Sequence, residues 1–322
     1  DLVTLWKLYR LFCYEKPKIV HSITPKAGLL SMTAAYFACI PIRIHTFTGL
    51  IFPSKTGILK KLLILMDKIL CFFATSVYPE GEGVKKDLIS HRITNKPLKI
   101  IANGNVNGID INYFDSKLIT KNKKKTLRSS LGINESDFVF IFVGRLVGDK
   151  GINELIEAFK QLTKQFSASK LILVGTYEKK LDPLRLETLN EISQNNNIVT
   201  VGFQADVRPY FAISNVLVFP SYREGFPNVV LQAGAMGLPS IVTNINGCNE
   251  IIIEGKNGWI LTVKDQDAIL NTMRNCFLGR NKINLKKSNI RNIIKNKYQQ
   301  QIVWNAILIE YKLLEKNITK QE

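Results

Sequence analysis

Two kinds of segment alternate along this chain. Short apolar runs read as buried strands, and longer stretches with apolar residues every three or four positions read as helices facing a core. Leu2 to Tyr14 is the first helix: Leu2, Leu5, Trp6, Leu8, Tyr9 and Phe12 recur at helical spacing around Lys7 and Arg10, and Pro17 ends it. Ile19–Ile23, Ile42–Phe47, Ala74–Tyr78 and Leu98–Ala102 read as strands, with helices over Gly28–Cys39, Ile58–Phe73 and Gly83–Ser90 between them. Lys60, Lys61 and Lys68 interrupt the apolar Ile58–Phe73 segment. Its first reading is a core helix with a solvated basic edge, and its second is an amphipathic surface touching anionic lipid. The turn-rich Asn103–Gly108 breaks the pattern, and the basic segment Lys121–Lys125 follows. A domain boundary near Asn107 is expected, giving a first domain over 1–106.

The alternation then restarts. Strands are predicted at Phe138–Val143, Lys170–Val174, Ile198–Val201, Val216–Pro220, Pro239–Thr243 and Trp259–Leu261. Helices are predicted at Ile152–Phe166, Asp182–Ser193 and Val207–Ile213, with Pro209 in the first turn of the last. A further helix lies within Ser221–Pro239, where Pro227 suits a first turn and Gly237 and Pro239 mark the end. The chain finishes in basic, helical sequence, strongly periodic from Tyr298 to Leu314. Strands alternating with helices in this way imply an α/β protein with parallel, doubly wound sheets. Two such domains in tandem leave a ligand cleft at the C-terminal edges of their strands.

Composition narrows the partners. The chain has 322 residues, 46% of them hydrophobic, enough for two domains with sizeable cores. A formal net charge of +18 suits an anionic partner. No basic-aromatic RNA motif or zinc finger accompanies that charge, and the lysines are spread out, those from Lys282 to Lys297 included. Nucleic acid is therefore not the expected partner. Five scattered cysteines argue against a disulfide framework and for a reducing compartment, and the three histidines form no metal-ligand cluster. The chain opens Asp1-Leu2-Val3 with no signal peptide, and it reads as lacking its natural start. Ala27–Ile42 is uncharged but falls short of the roughly 20 residues a membrane span needs.

Two loops carry candidate chemistry. After the Phe138 strand, Arg145 and Lys150 sit in the glycine-rich loop Gly144 to Gly151 ahead of a helix. An Arg fork and a Lys point charge there can clamp a diphosphate. The loop is not a Walker motif: Asp149 stands where glycine is required and Gly151 where Ser or Thr is required. A Gly-x-Gly-x-x-Gly fingerprint is also missing. After the Val216 run, Glu224 sits in a Glu-Gly-Phe-Pro turn before a helix whose N-terminus favours anions. Cations on one loop and a carboxylate on the other, both on one sheet edge, describe a nucleotide-sugar site.

The residues Gly144-Arg145-Leu146, Lys150-Gly151, Gly175, Gly202-Phe203, Pro220-Ser221, Glu224 to Leu231 and Ala235 to Pro239 resemble, in order and spacing, the family 4 glycosyltransferases. Asn107-Gly108-Ile109-Asp110 resembles that family's domain junction, and the match is dense over Asn107–Leu261. The resemblance implies a GT-B fold, two Rossmann-like domains facing a cleft, with the N-terminal one here lacking its first strand and glycine loop. It implies a donor-binding domain over 107–297 and a C-terminal segment over 298–322 packing back on the first domain. It further implies retaining transfer from a nucleotide-sugar, a UDP-sugar above all, without a tightly bound metal or other cofactor.

By the same resemblance Arg145 and Lys150 bind the diphosphate, and Glu224 contacts the donor sugar, the three forming the catalytic set. Gly144, Gly225, Phe226, Pro227, Asn228 and Val229 line sugar and phosphate, and Gly202 and Phe203 lie near the base. The implied acceptor is a lipid-diphosphate-linked sugar of surface-polysaccharide assembly, reached from the cytoplasmic face of an anionic membrane. Two positions depart from the family. Gln232 replaces the second Glu of its signature and is read as a neutral ribose ligand. Thr48 precedes Gly49 where a His-Gly pair is usual, so these two inherit the acceptor-side location. His45 lies on the opposite strand face from Thr48 and inherits no catalytic role. These departures motivate an alternative, an inactive nucleotide-binding partner subunit.

Overall fold

The computed structural model describes residues 1–178, 180, 182–280 and 287–318. It forms two compact units: Asp1–Gly108 with the chain from Gln300, and Ile109–Gln299.

The first unit runs α1 (Leu2–Glu15), β1 (Ile19–Ser22), α2 (Pro25–Phe37), β2 (Ile42–Phe47), α3 (Gly57–Phe73), β3 (Ser76–Pro79) and α4 (Glu82–Ser90). Its three strands form a parallel sheet in the order β1-β2-β3. Met32, Phe47, Phe52, Leu70, Val77 and Leu88 make one core. The C-terminal helix Gln300–Ile318 covers another sheet surface, where Tyr311, Leu314 and Ile318 pack on Ile42, Ile44 and Tyr78. Two polar ties fix that helix: His21 Nδ1 lies 2.6 Å from the Tyr311 hydroxyl, and the Tyr78 hydroxyl donates to Glu310 at 2.8 Å.

Two expectations fail in this unit. Ile58–Phe73 is a helix but not a core helix: only Leu70 and Cys71 are buried. Ile58, Leu62, Leu65, Ile69 and Phe72, at alternating steps of four and three, are all exposed, from 39% to 86%. Apolar residues run round most of the helix, and one side suffices to pack against α2, so burial goes to that side and the stripe faces out. Leu98–Ala102 is not a strand. It makes a bridge from Leu98 to Val77, and Ala102 turns into the left-handed region at φ 53°. Pro97 lacks the amide a ladder would need at that position.

The second unit contains α5 (Lys121–Ser130), β4 (Phe138–Val143), α6 (Ile152–Gln165), β5 (Ser169–Val174), α7 (Leu186–Gln194), β6 (Ile198–Gly202), α8 (Arg208–Ile213), β7 (Val216–Phe219), α9 (Asn228–Ala235), β8 (Ser240–Thr243), α10 (Cys248–Ile251), β9 (Gly258–Leu261), α11 (Gln266–Leu278) and α12 (Lys287–Tyr298). All six strands are parallel, in the order β6-β5-β4-β7-β8-β9. The residues of β7 and β8 are fully buried, as befits a sheet covered by helices on both faces. From β4 the chain winds outward to β6, then returns to place β7 beside β4 and winds the other way. That reversal opens a crevice at the carboxyl ends of β4 and β7.

Local chemistry moves several boundaries. The helix expected from Asp182 starts at Leu186, since Pro183 holds Asp182 out of helical conformation. Lys121–Lys125 is the first turn of α5, capped by Thr120, whose hydroxyl accepts from the Lys123 amide at 3.3 Å. Pro227 caps α9 from just outside it rather than from its first turn. The C-terminal periodicity divides at Gln299, which bridges Ile109, into α12 and the C-terminal helix. Of the basic stretch from Lys282, residues 282–286 lie outside the described residues. Among the described residues no helix is long and apolar enough to cross a membrane.

Candidate active site

The crevice between β4 and β7 is built from two loops that the apolar strands deliver side by side. β4 ends at Val143, and the chain passes Gly144 and exposed Arg145 into a tight turn, Gly148–Lys150, before α6 begins. β7 ends at Phe219, and Pro220 to Pro227 lead into α9. Gly151 lets the loops approach: its φ is 69°, and a Cβ there would lie 2.2 Å from the Pro220 carbonyl oxygen. Gly175, after β5, has the same function one strand over, where a Cβ would meet the Gly144 carbonyl at 1.8 Å. The Gly175 amide in turn donates to the Gly202 carbonyl at 2.8 Å. Three strand ends thus step across the sheet edge through glycines at 144, 175 and 202.

Lys150 and Glu224 meet in this crevice. They form an ion pair with side chains only 14% and 18% exposed. Ser221, itself fully buried, donates from Oγ to Glu224 Oε1 at 2.8 Å. The Thr243 hydroxyl at the end of β8 donates to the Ser221 carbonyl and holds that turn from behind. The Lys150 ammonium also stands 5.8 Å from the centre of the Phe219 ring, within cation–π range. Cys248, at the start of α10, lies against the pair. Burial pushes its thiol well above the usual range, Glu224 pushes it further up, and Lys150 opposes. It is a protonated packing residue there, not a nucleophile.

Further polar contacts hold the β4 loop. The Asp182 carboxylate accepts from the Asp149 amide at 2.6 Å, and the Asp149 carbonyl accepts from the Tyr222 amide at 2.8 Å. Tyr222 donates its hydroxyl to Glu154 of α6 at 2.6 Å. Burial, and then that hydrogen bond to Glu154, raise the Tyr222 pKa, so it remains a phenol.

The other predicted donor residues sort by exposure. Phe203 follows β6 and is 74% exposed, an aromatic face open to a ligand. Gly225 is half-buried, and Phe226 and Pro227 are buried; the Phe226 ring packs 5.6 Å from that of Tyr298, so only its backbone can serve a ligand. Asn228 and Val229 form the first turn of α9, and Gln232 is half-buried one turn on. The helix ends as its sequence predicts: Leu238 and Gly237 donate to the carbonyls of Ala233 and Gly234, closing a Schellman motif with Gly237 at φ 82°. Lys150 and Glu224 are in contact. Arg145 shares their loop edge but not their ion pair. Sequence reasoning gave Thr243 and Arg223 no place in the site and named Ser221 and Asp149 without assigning them a contact there; the hydroxyl immediately after a buried strand was the available signal for Ser221.

Thr48 and Gly49 belong to the first unit. The Thr48 hydroxyl donates to the Ile23 carbonyl at 2.9 Å, and Gly49 lines a cavity of about 310 Å³ together with Leu29, Leu63, Met66 and Asp67. His45 is a core residue, fully buried, its Nδ1 2.8 Å from Ser22 Oγ. Burial, and secondarily His21, depress its pKa to about 3. Among the described residues no cluster of His, Cys, Asp and Glu could hold a metal ion.

The chain is similar to known proteins over most of its length. The family model "Glycosyl transferases group 1" matches residues 123–298. The capsular polysaccharide biosynthesis glycosyltransferase CapM of Staphylococcus aureus is 34% identical over 308 residues, which cover 95% of this chain and 80% of the relative. An Escherichia coli UDP-Gal:alpha-D-GlcNAc-diphosphoundecaprenol alpha-1,3-galactosyltransferase is 29% identical over 298 residues, covering 92% and 75%. Among solved structures, Anabaena HepE in complex with UDP-glucose superposes with a TM-score of 0.83 at 21% identity, covering 96% of this chain and 82% of that one. That likeness shows the fold, two parallel α/β units of the GT-B type.

Proposed function

Because this chain belongs to the group 1 glycosyl transferases and is a glycosyltransferase, we propose that it moves a sugar from a UDP-sugar to a lipid-diphosphate-linked acceptor in surface-polysaccharide assembly, with retention of anomeric configuration. The observation that carries the reading is the meeting of Lys150 and Glu224 at the point where the strand order reverses. Two relatives support the substrate class: one is named for capsular polysaccharide, the other for a diphosphoundecaprenol-linked acceptor.

In this reading Arg145 and Lys150 clamp the donor diphosphate. As the bond from the anomeric carbon to the β-phosphate oxygen breaks, their charge offsets the negative charge left on UDP. The acceptor hydroxyl forms the new bond, and its proton passes to the departing diphosphate. Glu224 accepts from donor-sugar hydroxyls, Gln232 holds the ribose, and the Phe203 face stacks on the base. Backbone groups of Gly144, Gly202 and Gly225 to Val229 complete the donor site, and Thr48 and Gly49 serve the acceptor. With two cations in the charge-offsetting role, the reaction is proposed to need no bound metal. The exposed apolar stripe of α3, flanked by Lys61 and Lys68, is the proposed contact with an anionic cytoplasmic membrane face.

A transfer assay with UDP-sugars and membrane lipid acceptors tests this. Removing two charge-assisted contacts costs about 10²-fold or more, so the double variant Arg145→Ala, Lys150→Ala is expected to lose at least that much turnover. Undiminished turnover would remove the clamp. Nucleotide binding without turnover on any donor and acceptor pair would favour the inactive partner subunit.

A further inference from the structure

The two loops of the crevice carry mirrored charge pairs on consecutive residues. Asp149-Lys150 lies on the β4 loop and Arg223-Glu224 on the β7 loop. The inner rung, Lys150 with Glu224, is mostly buried. The outer rung is Arg223 Nη2 with Asp149 Oδ2 at 3.2 Å, and it is more exposed. Between the rungs, the Asp149 carbonyl accepts from the Tyr222 amide at 2.8 Å, so the loops are joined through backbone at the same residue. Asp149 is also fixed from its other side, where its amide is held by Asp182. Among the described residues its second carboxylate oxygen is buried without a hydrogen-bond partner.

We propose that Asp149 and Arg223 are positioning residues: an outer ion pair that fixes the two loops in register and so sets the spacing at which Lys150 and Glu224 meet the donor. A donor must divide the inner rung, because Lys150 turns to phosphate while Glu224 turns to the sugar. When that rung opens, the outer rung and the Tyr222 amide keep the loops together. The inference rests on the reading of Lys150 and Glu224 as donor ligands.

The alternative role for Arg223 is a third phosphate cation, and the two roles differ in sign at Asp149. If Arg223 contacts phosphate directly, Asp149→Ala frees the guanidinium and tightens binding. If the pair positions the loops, Asp149→Ala and Arg223→Ala both weaken it. Titration calorimetry of the full chain with UDP decides. Each single variant is expected to weaken UDP binding about three- to fivefold, the range of a partly exposed pair. The double alanine variant is expected to weaken it no further, since one interaction is lost once. The exchanged pair, Asp149→Arg with Arg223→Asp, is expected to recover affinity to within about twofold. Arg223→Lys supplies the same rescue should the exchanged pair lower the melting temperature.

Additive losses in the double variant, or tighter binding by Asp149→Ala, would overturn the proposal. Lys150→Ala is the control. If it leaves UDP affinity unchanged, the donor-site reading itself fails. If it impairs binding while the double variant is additive, only the outer rung fails.

Discussion

Asp67 is a carboxylate set into the apolar helix α3, facing the cavity beneath Gly49. Burial raises its pKa to about 6 from an ordinary 3.8. Between those values the folded chain keeps a proton that the unfolded chain has released. Stability therefore falls as pH rises through that window, and the penalty is complete above about pH 6. Asp67→Asn is expected to raise stability at pH 7.5 by about 1–2 kcal/mol, discounted for the part of the carboxylate still in water, and by less at pH 4.5. Thermal melts at both pH values check this, and an equal gain at each would contradict it. Lys150 and Glu224 were legible in the sequence because each follows a run too apolar to be anything but a buried strand. The Asp149–Arg223 pair was not. Strand spacing says that two loops share an edge, but neighbours on that edge depend on strand order, which spacing does not contain.

Among the elements, α3 departs furthest from its sequence reading. A helix apolar on nearly every side gives no periodic signal of which side is buried, so packing against α2 decided it. The stripe from Ile58 to Phe72 is left outward with Lys61 and Lys68 beside it. On vesicles containing anionic phospholipid, Leu62→Gln with Leu65→Gln is expected to lower the bound fraction about tenfold or more. Cosedimentation measures it, and unchanged binding would remove α3 from the membrane contact. The β4 and β7 strands were legible almost to the residue. Their burial on both faces makes the apolar run and the strand coincide, whereas Leu98–Ala102, preceded by Pro97 and ending in a turn, makes only the bridge from Leu98 to Val77.

At the scale of the molecule, the two units differ in how they meet acid. All three histidines, His21, His45 and His91, lie in the first unit, and the second has none. Burial lowers the His21 pKa to about 4, and burial with His21 nearby lowers that of His45 to about 3. Such groups stabilise the fold fully above about pH 6.5, and that stability is lost as pH falls through the window below it. Asp67 offsets part of the loss. At pH 5 the melting transition of the first unit is expected to drop by roughly 10 °C relative to pH 7.5 while that of the second holds. Trp6 and Trp304 report the first unit and Trp259 the second. A common shift of both transitions would contradict this.

The first unit is also discontinuous in the chain, since the helix that covers Ile42, Ile44 and Tyr78 begins at Gln300. During synthesis its sheet is made first and finished last. The second unit has all of its strands and helices by Tyr298 and is free to fold as it leaves the ribosome. The apolar surface around Ile44 must wait, uncovered, for the helix Gln300–Ile318. A stop codon near residue 300 would therefore spare the unit it follows and damage the unit at the opposite end of the sequence.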